Sequence, residues 1–88
     1  MIISEHGQAI TKRFFDTIDV LRQKRVIRGL QTFTRAHDIN YWNIATVKKE
    51  PSKHLLKPEW LAYLVYDYNV SADYLLTGRG VMFIDSVL

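Results

Sequence analysis

The chain has 88 residues, 48% of them apolar and 24% charged, so it is long enough for one globular domain and too short for two. It has no cysteine, which excludes disulfides and thiolate metal sites, and no apolar run near the roughly 20 residues that cross a bilayer. The net charge of +3 is uneven: residues 12–57 carry +7 and residues 58–88 carry −3, so the first of these segments is expected to attract polyanions.

The first predicted helix follows a short lead-in. Residues 1–7 are expected to be irregular, with Gly7 marking their end. Between residues 8 and 24, apolar residues recur at steps of four, four and three, which is one face of an α-helix. These residues are Ile10, Phe14, Ile18 and Leu21. The connection that follows, RQKRVIR at 22–28, has four positive charges in seven positions, more than the dipole of a helix C-terminus explains.

The segment 29–49, GLQTFTRAHDINYWNIATVKK, predicts two short helices joined by a tight turn. The second helix is expected from Leu30 to His37 behind a Gly29 N-cap, and the third from its N-cap Asn40 to about Lys48. Asp38 lies at the corner between them. The side chains expected to be buried are Phe33, His37, Ile39, Ile44 and Val47. Those expected to face outward are Tyr41, Trp42, Asn43, Thr46 and Lys49.

A loop and a fourth helix come next. Glu50-Pro51-Ser52 ends helix three, because the residue before a proline is pushed out of the α region. The loop covers 50–57, and Leu55 and Leu56 are expected to fold onto the core. Pro58 suits the first turn of a helix at 58–68.

The last predicted helix spans residues 72–77. Ser71 is its expected N-cap and Gly78 its C-cap, with Leu75 and Leu76 packing inward. The terminal residues 81–88, VMFIDSVL, could form an extended tail, a packing flap or an oligomer contact.

These five helices predict an all-α fold that resembles the DNA-binding domain of the λ-repressor/Cro-like family, and two segments carry the resemblance. In 29–49, the buried positions of the family's helix-turn-helix match at Phe33, Ile39, Ile44 and Val47. In 69–83, NVSADYLLTGRGVMF, a small polar cap, an aromatic residue, a Leu-Leu pair and a T-G-x-G turn are similar to the family's closing segment. The resemblance implies a compact five-helix DNA-binding domain at 8–83 with the helix-turn-helix at helices two and three, a lead-in at 1–7 and a tail at 84–88.

The chain departs from the family's pattern at four positions. It has Thr34 where alanine is common, and Asp38 where the corner usually holds glycine. Aspartate tolerates the left-handed backbone better than most other residues, so the turn is expected to survive. His37 replaces a usual leucine and is expected to be a packing residue. Trp42 stands where the family usually has a small polar side chain.

The resemblance implies sequence-specific binding to double-stranded DNA, with helix three in the major groove, by a repressor-like transcription regulator of bacterial or phage origin. The residues that it places at the bases are Tyr41, Trp42, Asn43 and Thr46. Asn43 has the paired donor and acceptor that read adenine. The residues expected at the DNA backbone are Arg28, Gln31, Thr32, Lys48, Lys49, Lys53 and Lys57.

A second interpretation stays open because Tyr41 and Trp42 are unusually large for a DNA-reading face. They could instead pack on helix four or form a protein interface. The chain would then be a protein-interaction module on a helix-turn-helix scaffold, either antitoxin-like or an adaptor of a phage or mobile element. A DNA binder should depend steeply on salt, and an apolar protein interface should not.

Other classes of function are not expected. The histidines His6, His37 and His54 are far apart in sequence, and the chain has no phosphate-binding glycine loop or spaced metal ligands. We therefore predict no enzyme, no catalytic or metal residues, no cofactor, no small-molecule ligand and no membrane partner. A homodimer in the cytoplasm is expected, with residues 81–88 and exposed aromatics such as Tyr63 or Tyr66 as its surface.

Overall fold

Five α-helices and the turns between them make up residues 2–84, the part of the chain that the computed structural model describes. Their bounds are α1 Glu5–Gln23, α2 Leu30–Ala36, α3 Tyr41–Lys49, α4 Pro58–Tyr68 and α5 Ala72–Thr77. In residues 2–84, one isolated antiparallel bridge between Val70 and Phe83 is the sole β-type pairing. The predicted all-α class is therefore confirmed. None of these helices has both the length and the apolar composition that crossing a bilayer requires.

The core is built around α1. Phe14 is fully buried, with its ring edge-on to Phe33 of α2 at a centroid distance of 5.8 Å and tilted against Trp60 of α4 at 6.4 Å. Side chains from every helix join this cluster, including Leu21, Ile44, Leu64 and Leu75. Burying each large apolar side chain stabilises the fold by about 1.5–3 kcal/mol. Because the three rings contact one another, they hold α1, α2 and α4 together.

Local signals set the helix ends much as predicted. The Asn40 side chain accepts hydrogen bonds from the backbone N–H groups of Trp42 and Asn43, at 2.9 and 3.2 Å. Asp38 has a φ of 54°, the left-handed conformation expected at the corner. Ser71 accepts from the Tyr74 N–H at 3.1 Å and so caps α5. The second helix ends at Ala36, one residue before the prediction, and the third continues to Lys49.

The lead-in prediction is wrong at its C-terminal end, because α1 already starts at Glu5. The Ser4 hydroxyl accepts from the Gly7 N–H at 3.1 Å, and Ile3 is buried. A Cβ at Gly7 would lie 2.6 Å from the Ile3 side chain, so glycine here permits close packing inside a helix. The sequence signal was Ser4, an N-cap residue three positions before the glycine.

Two leucines predicted to face the core do not. Leu55 is 64% exposed and Leu76 is 53% exposed, whereas their neighbours Leu56 and Leu75 pack against the core or inside it. Adjacent helical residues point about 100° apart, so Leu75 and Leu76 cannot share one narrow buried stripe. Successive residues of an extended loop also point to opposite sides, which separates Leu55 from Leu56.

The C-terminal segment folds back as a packing flap. The Ser71 N–H donates to the Met82 carbonyl and the Ile84 N–H donates to the Asn69 carbonyl, both at 2.8 Å. Phe83 is partly buried, with the Lys24 ammonium 4.1 Å from its ring centroid. Of the three expectations for the terminal residues, the packing flap describes Met82 and Phe83, whereas Val81 and Ile84 are exposed, and residues 85–88 lie outside the described residues.

Arginine 13 fastens the last helix to the first. Its guanidinium donates to the carbonyls of Leu75 and Leu76, at 2.9 and 3.1 Å, where α5 ends. Gly78 follows with a φ of 78°, and a Cβ there would lie 3.2 Å from this same guanidinium. The left-handed backbone at this C-cap favours glycine, and a larger side chain would also require the Arg13 guanidinium to shift slightly.

Candidate nucleic-acid interface

Helix α3 has one anchored side and one open side. Ile44 and Val47 are at most 4% exposed and hold the helix against α1 and α2. On the open side Trp42 is 75% exposed, and Asn43, Thr46 and Lys49 are exposed as well. This alternation follows the helical period, and it agrees with the outward positions predicted for these residues.

The polar groups on the open side differ in how free they are. The Thr46 hydroxyl donates to the Trp42 carbonyl at 2.7 Å, which leaves its methyl group and an oxygen lone pair for a ligand. Within residues 2–84, the Asn43 carboxamide has no hydrogen-bond partner. Its donor and acceptor are therefore both available to a ligand.

Tyr41 and Trp42 form an edge-on aromatic pair at the start of α3. Their ring centroids lie 5.5 Å apart with an interplanar angle of 81°. Tyr41 is half-buried, while Trp42 projects from the surface. Within residues 2–84 neither ring is paired with an aromatic ring of α4, and both line a hollow with residues of α2 and of the corner.

Three of the lysines predicted to contact the DNA backbone already have partners within the molecule. The Lys53 ammonium lies 3.4 Å from a Glu50 carboxylate oxygen. Lys48 and Lys57 each lie 6.0 Å from a ring centroid, that of Phe15 and that of Trp60. These cations are directed toward α1, the loop and α4, and are less free for a ligand than Lys49.

The pKa of Glu50, the first residue after α3, is affected by the neighbouring cations. Glu50 accepts from Lys53 and lies 3.5 Å from His54. The hydrogen bond from Lys53 and the charge of that lysine lower the pKa of Glu50 below its ordinary value. Glu50 therefore stays ionised at neutral pH and offsets positive charge just after α3.

The first turn of α2 contributes the other predicted backbone contacts. The Arg28 N–H donates to the Thr32 hydroxyl at 3.2 Å, which ties the connection to α2. Ile27 is buried in the core cluster, which anchors the connection. Gln31 is exposed and lines the surface between α2 and α3.

Arginine 35 is a candidate that the sequence interpretation missed. It is exposed in the last turn of α2, and it lines two adjoining hollows together with Gln31 and Tyr41. The signal was present, because Gln31 and Arg35 are four residues apart and therefore neighbours on one helix face. Among residues 2–84, Arg28, Arg35 and Lys49 have no ion-pair partner.

His37 connects the α2–α3 corner to α4. Its side chain is 8% exposed, and its ring is stacked on Tyr63 with centroids 4.6 Å apart. One ring nitrogen lies 2.9 Å from the Phe33 carbonyl and the other 2.8 Å from an Asp67 carboxylate oxygen. Both neighbours are oxygen atoms that accept hydrogen bonds. The expectation that His37 is a packing residue is consistent with this position.

Metal-ligand geometry is not found in the part of the chain that is described. No group of three or more His, Cys, Asp or Glu side chains in residues 2–84 is placed to hold a metal ion. His37 and His54 lie in different contacts, one with Asp67 and one with Glu50.

Comparison with protein-family models, with curated proteins and with solved structures gave no match for this chain. Function is therefore inferred from the residues and their geometry.

Proposed function

We propose that this chain binds double-stranded DNA sequence-specifically through a helix-turn-helix formed by α2 and α3, and acts as a repressor-like regulator of transcription. The observation that carries the proposal is the two-sided α3, with Ile44 and Val47 anchored and Trp42 and Asn43 projecting. A helix about 10–12 Å wide fits a major groove about 12 Å wide. The λ-repressor/Cro-like family, which the sequence resembles, uses its third helix in this way.

Base reading would come from the open side of α3. The unpartnered Asn43 carboxamide matches adenine, and a good bidentate contact discriminates against the wrong base by about 1–3 kcal/mol. The Trp42 ring and the Thr46 methyl offer apolar surface to thymine methyl groups.

Backbone contacts would come from the cations beside that helix. Lys49 and Arg28 are exposed and have no ion-pair partner in residues 2–84, so they are the strongest candidates. Lys48, Lys53 and Lys57 would contribute less, because each already faces a carboxylate or a ring.

A homodimer completes the proposal, since one small domain reads only a few base pairs. Half-sites about one helical turn apart, roughly 34–36 Å, would each take one copy. Tyr66 is 82% exposed and Val81 71% exposed, which is consistent with part of the predicted dimer surface. Tyr63, by contrast, is half-buried against the core and stacked on His37.

The test is selection of bound sequences from a random duplex pool, followed by affinity measurements over a salt series. Asn43→Ala should relax the selected motif at one position and leave the salt dependence intact. Lys49→Gln should weaken all duplexes alike and reduce the slope of log K against log salt by about 0.9.

Two exposed residues away from α3 serve as matched controls. Gln23→Ala removes a carboxamide from the end of α1, and Arg79→Gln removes one positive charge from the turn after α5. Both should bind as the wild type does. A pool without enrichment, or Asn43→Ala and Lys49→Gln variants that bind like their controls, would exclude specific DNA reading.

The exposed Trp42 favours one other function, a protein-interaction module that uses the Tyr41/Trp42 face. An indole that is 75% exposed is a common anchor of protein interfaces. This candidate predicts no enrichment of duplexes, and a partner whose binding is lost in Trp42→Ala and changes little with salt.

A further inference from the structure

A hollow at the junction of α2 and α3 has a lining suited to an anion. Its lining residues are Arg28, Gly29, Leu30, Gln31, Thr32, Arg35 and Tyr41. Two of them are arginines and none is acidic. The adjoining hollow shares Gln31, Arg35 and Tyr41 but adds Asp38 and Trp42, so the two differ in charge.

The two arginines lie at opposite ends of α2 along the chain. Arg35 projects from the last turn of α2, one helical turn after Gln31 on the same face. Arg28 precedes the helix, and its N–H is bonded to the Thr32 hydroxyl in the first turn. Both arginines line the hollow, and neither is in an ion pair within residues 2–84.

We propose that this hollow holds a single phosphate of the DNA backbone, with Arg28 and Arg35 as its charged donors and the Gln31 amide and Tyr41 hydroxyl as neutral donors. The inference rests on the proposed function for the source of the phosphate. Guanidinium forks match phosphate oxygens, and hydrogen bonds between ionised groups are about twice as strong as neutral ones.

This assignment changes the role of Tyr41. The sequence interpretation placed it at the bases, whereas here it lines the hollow beside two arginines. A phosphate contact carries no sequence information of its own. Tyr41→Phe should therefore weaken all duplexes by the same factor and leave the selected motif unchanged, while a base contact would relax the motif.

The salt dependence of duplex binding counts the phosphates. If both arginines hold one phosphate, the double variant R28Q/R35Q flattens the log–log slope by about 0.9, and each single variant flattens it by less. If the double variant reduced the slope by about 1.8, the two arginines would hold two separate phosphates. If it left the slope unchanged, they would hold none. Either result overturns the proposal. Arg79→Gln removes one positive charge outside the hollow, as each single variant does inside it, and should leave the slope unchanged.

A second experiment needs no DNA. Inorganic phosphate is titrated against the ¹⁵N-labelled protein at constant ionic strength, with chloride as the comparison. Amide shifts confined to residues 28–35 and Tyr41, and lost in R28Q/R35Q, are expected. Shifts that are absent, or spread over unrelated cations such as Arg79, would overturn the hollow as a phosphate site.

The two experiments separate the inference from the proposed function. Phosphate shifts in the hollow without any duplex binding would leave an anion site and exclude the DNA function. Steep, sequence-selective duplex binding that is unchanged in R28Q/R35Q would keep the DNA function and reject the hollow. If an acidic peptide, but no duplex, causes the same shifts, the site recognises protein and the DNA phosphate assignment is wrong.

Discussion

Replacing Asp67 with alanine isolates the link between the α2–α3 corner and α4. The Asp67 carboxylate lies 2.8 Å from a ring nitrogen of His37, whose side chain is 8% exposed. The substitution leaves that buried nitrogen without its partner. We expect the free energy of unfolding to fall, because a buried polar group that loses its hydrogen bond costs about 1–3 kcal/mol.

The magnitude is set by the unequal exposure of the two partners. Asp67 is 55% exposed, so water screens its charge and the ionic part of the interaction is worth at most about 1 kcal/mol. The desolvated side is His37, and its lost hydrogen bond dominates. We therefore expect a loss in the lower half of that range, about 1.5 kcal/mol, or roughly 6–12 °C in Tm for a domain of this size.

The assay is urea unfolding followed by circular dichroism, with Asp19→Ala as the control. Asp19 is 53% exposed and lies 3.9 Å from Arg22, so it matches Asp67 in exposure without a buried partner. Its loss should cost less than about 0.5 kcal/mol. In a His37→Leu background, Asp67→Ala should cost almost nothing, because its partner is gone. The reasoning would be refuted if Asp67→Ala and Asp19→Ala lowered the free energy of unfolding equally. It would also be refuted if Asp67→Ala cost as much in the His37→Leu background as in the wild type.

Three further outcomes are expected. Acrylamide should quench the fluorescence of Trp42, which is 75% exposed, and spare Trp60, which is 3% exposed; Trp42→Phe should leave only the protected class, and duplex should shield Trp42. Ile44→Ala should lower the free energy of unfolding measured in urea by about 2–5 kcal/mol, since Ile44 is fully buried. Burial, and next the charge of Asp67, raise the pKa of Tyr68. The folded state therefore holds the Tyr68 proton more tightly than the unfolded state does. The contribution of this proton to the stability of the fold is complete below the unfolded pKa of about 10 and is lost as the pH rises through the raised folded pKa. Urea midpoints that fall at alkaline pH in the wild type should fall less in Tyr68→Phe.

The parts of the fold that were predicted correctly depend on signals that act over one turn of chain. Pro58, Ser71 and Gly78 mark the ends of α4 and α5, because a proline ring, a capping hydroxyl and a left-handed glycine act on backbone groups within a few residues. The sequence prediction starts α1 too late, because it places Gly7 at the end of an irregular lead-in. The role of Gly7 is to make room for Ile3, and that contact exists only once the chain has folded.

In the candidate site, too, local signals were predictable from the sequence and contacts between distant segments were not. Helical period alone indicated which side of α3 would be open. It could not indicate that Lys48 would lie over Phe15 of α1, or that Arg35 would share a hollow with Arg28 and Tyr41. These relations join residues of different segments, so they depend on how the helices pack.

The bond between Ile3 and Ser52 has a consequence for anything joined to the start of this domain. The Ile3 N–H donates to the Ser52 carbonyl at 2.8 Å, so the entering chain is fixed beside the turn that follows α3. A tag or second domain joined upstream of Ile3 would be tethered next to the proposed DNA-reading helix, at a local concentration set by linker length. A basic linker there would add its own salt-dependent affinity, whereas a bulky rigid one would compete with the duplex for the same space.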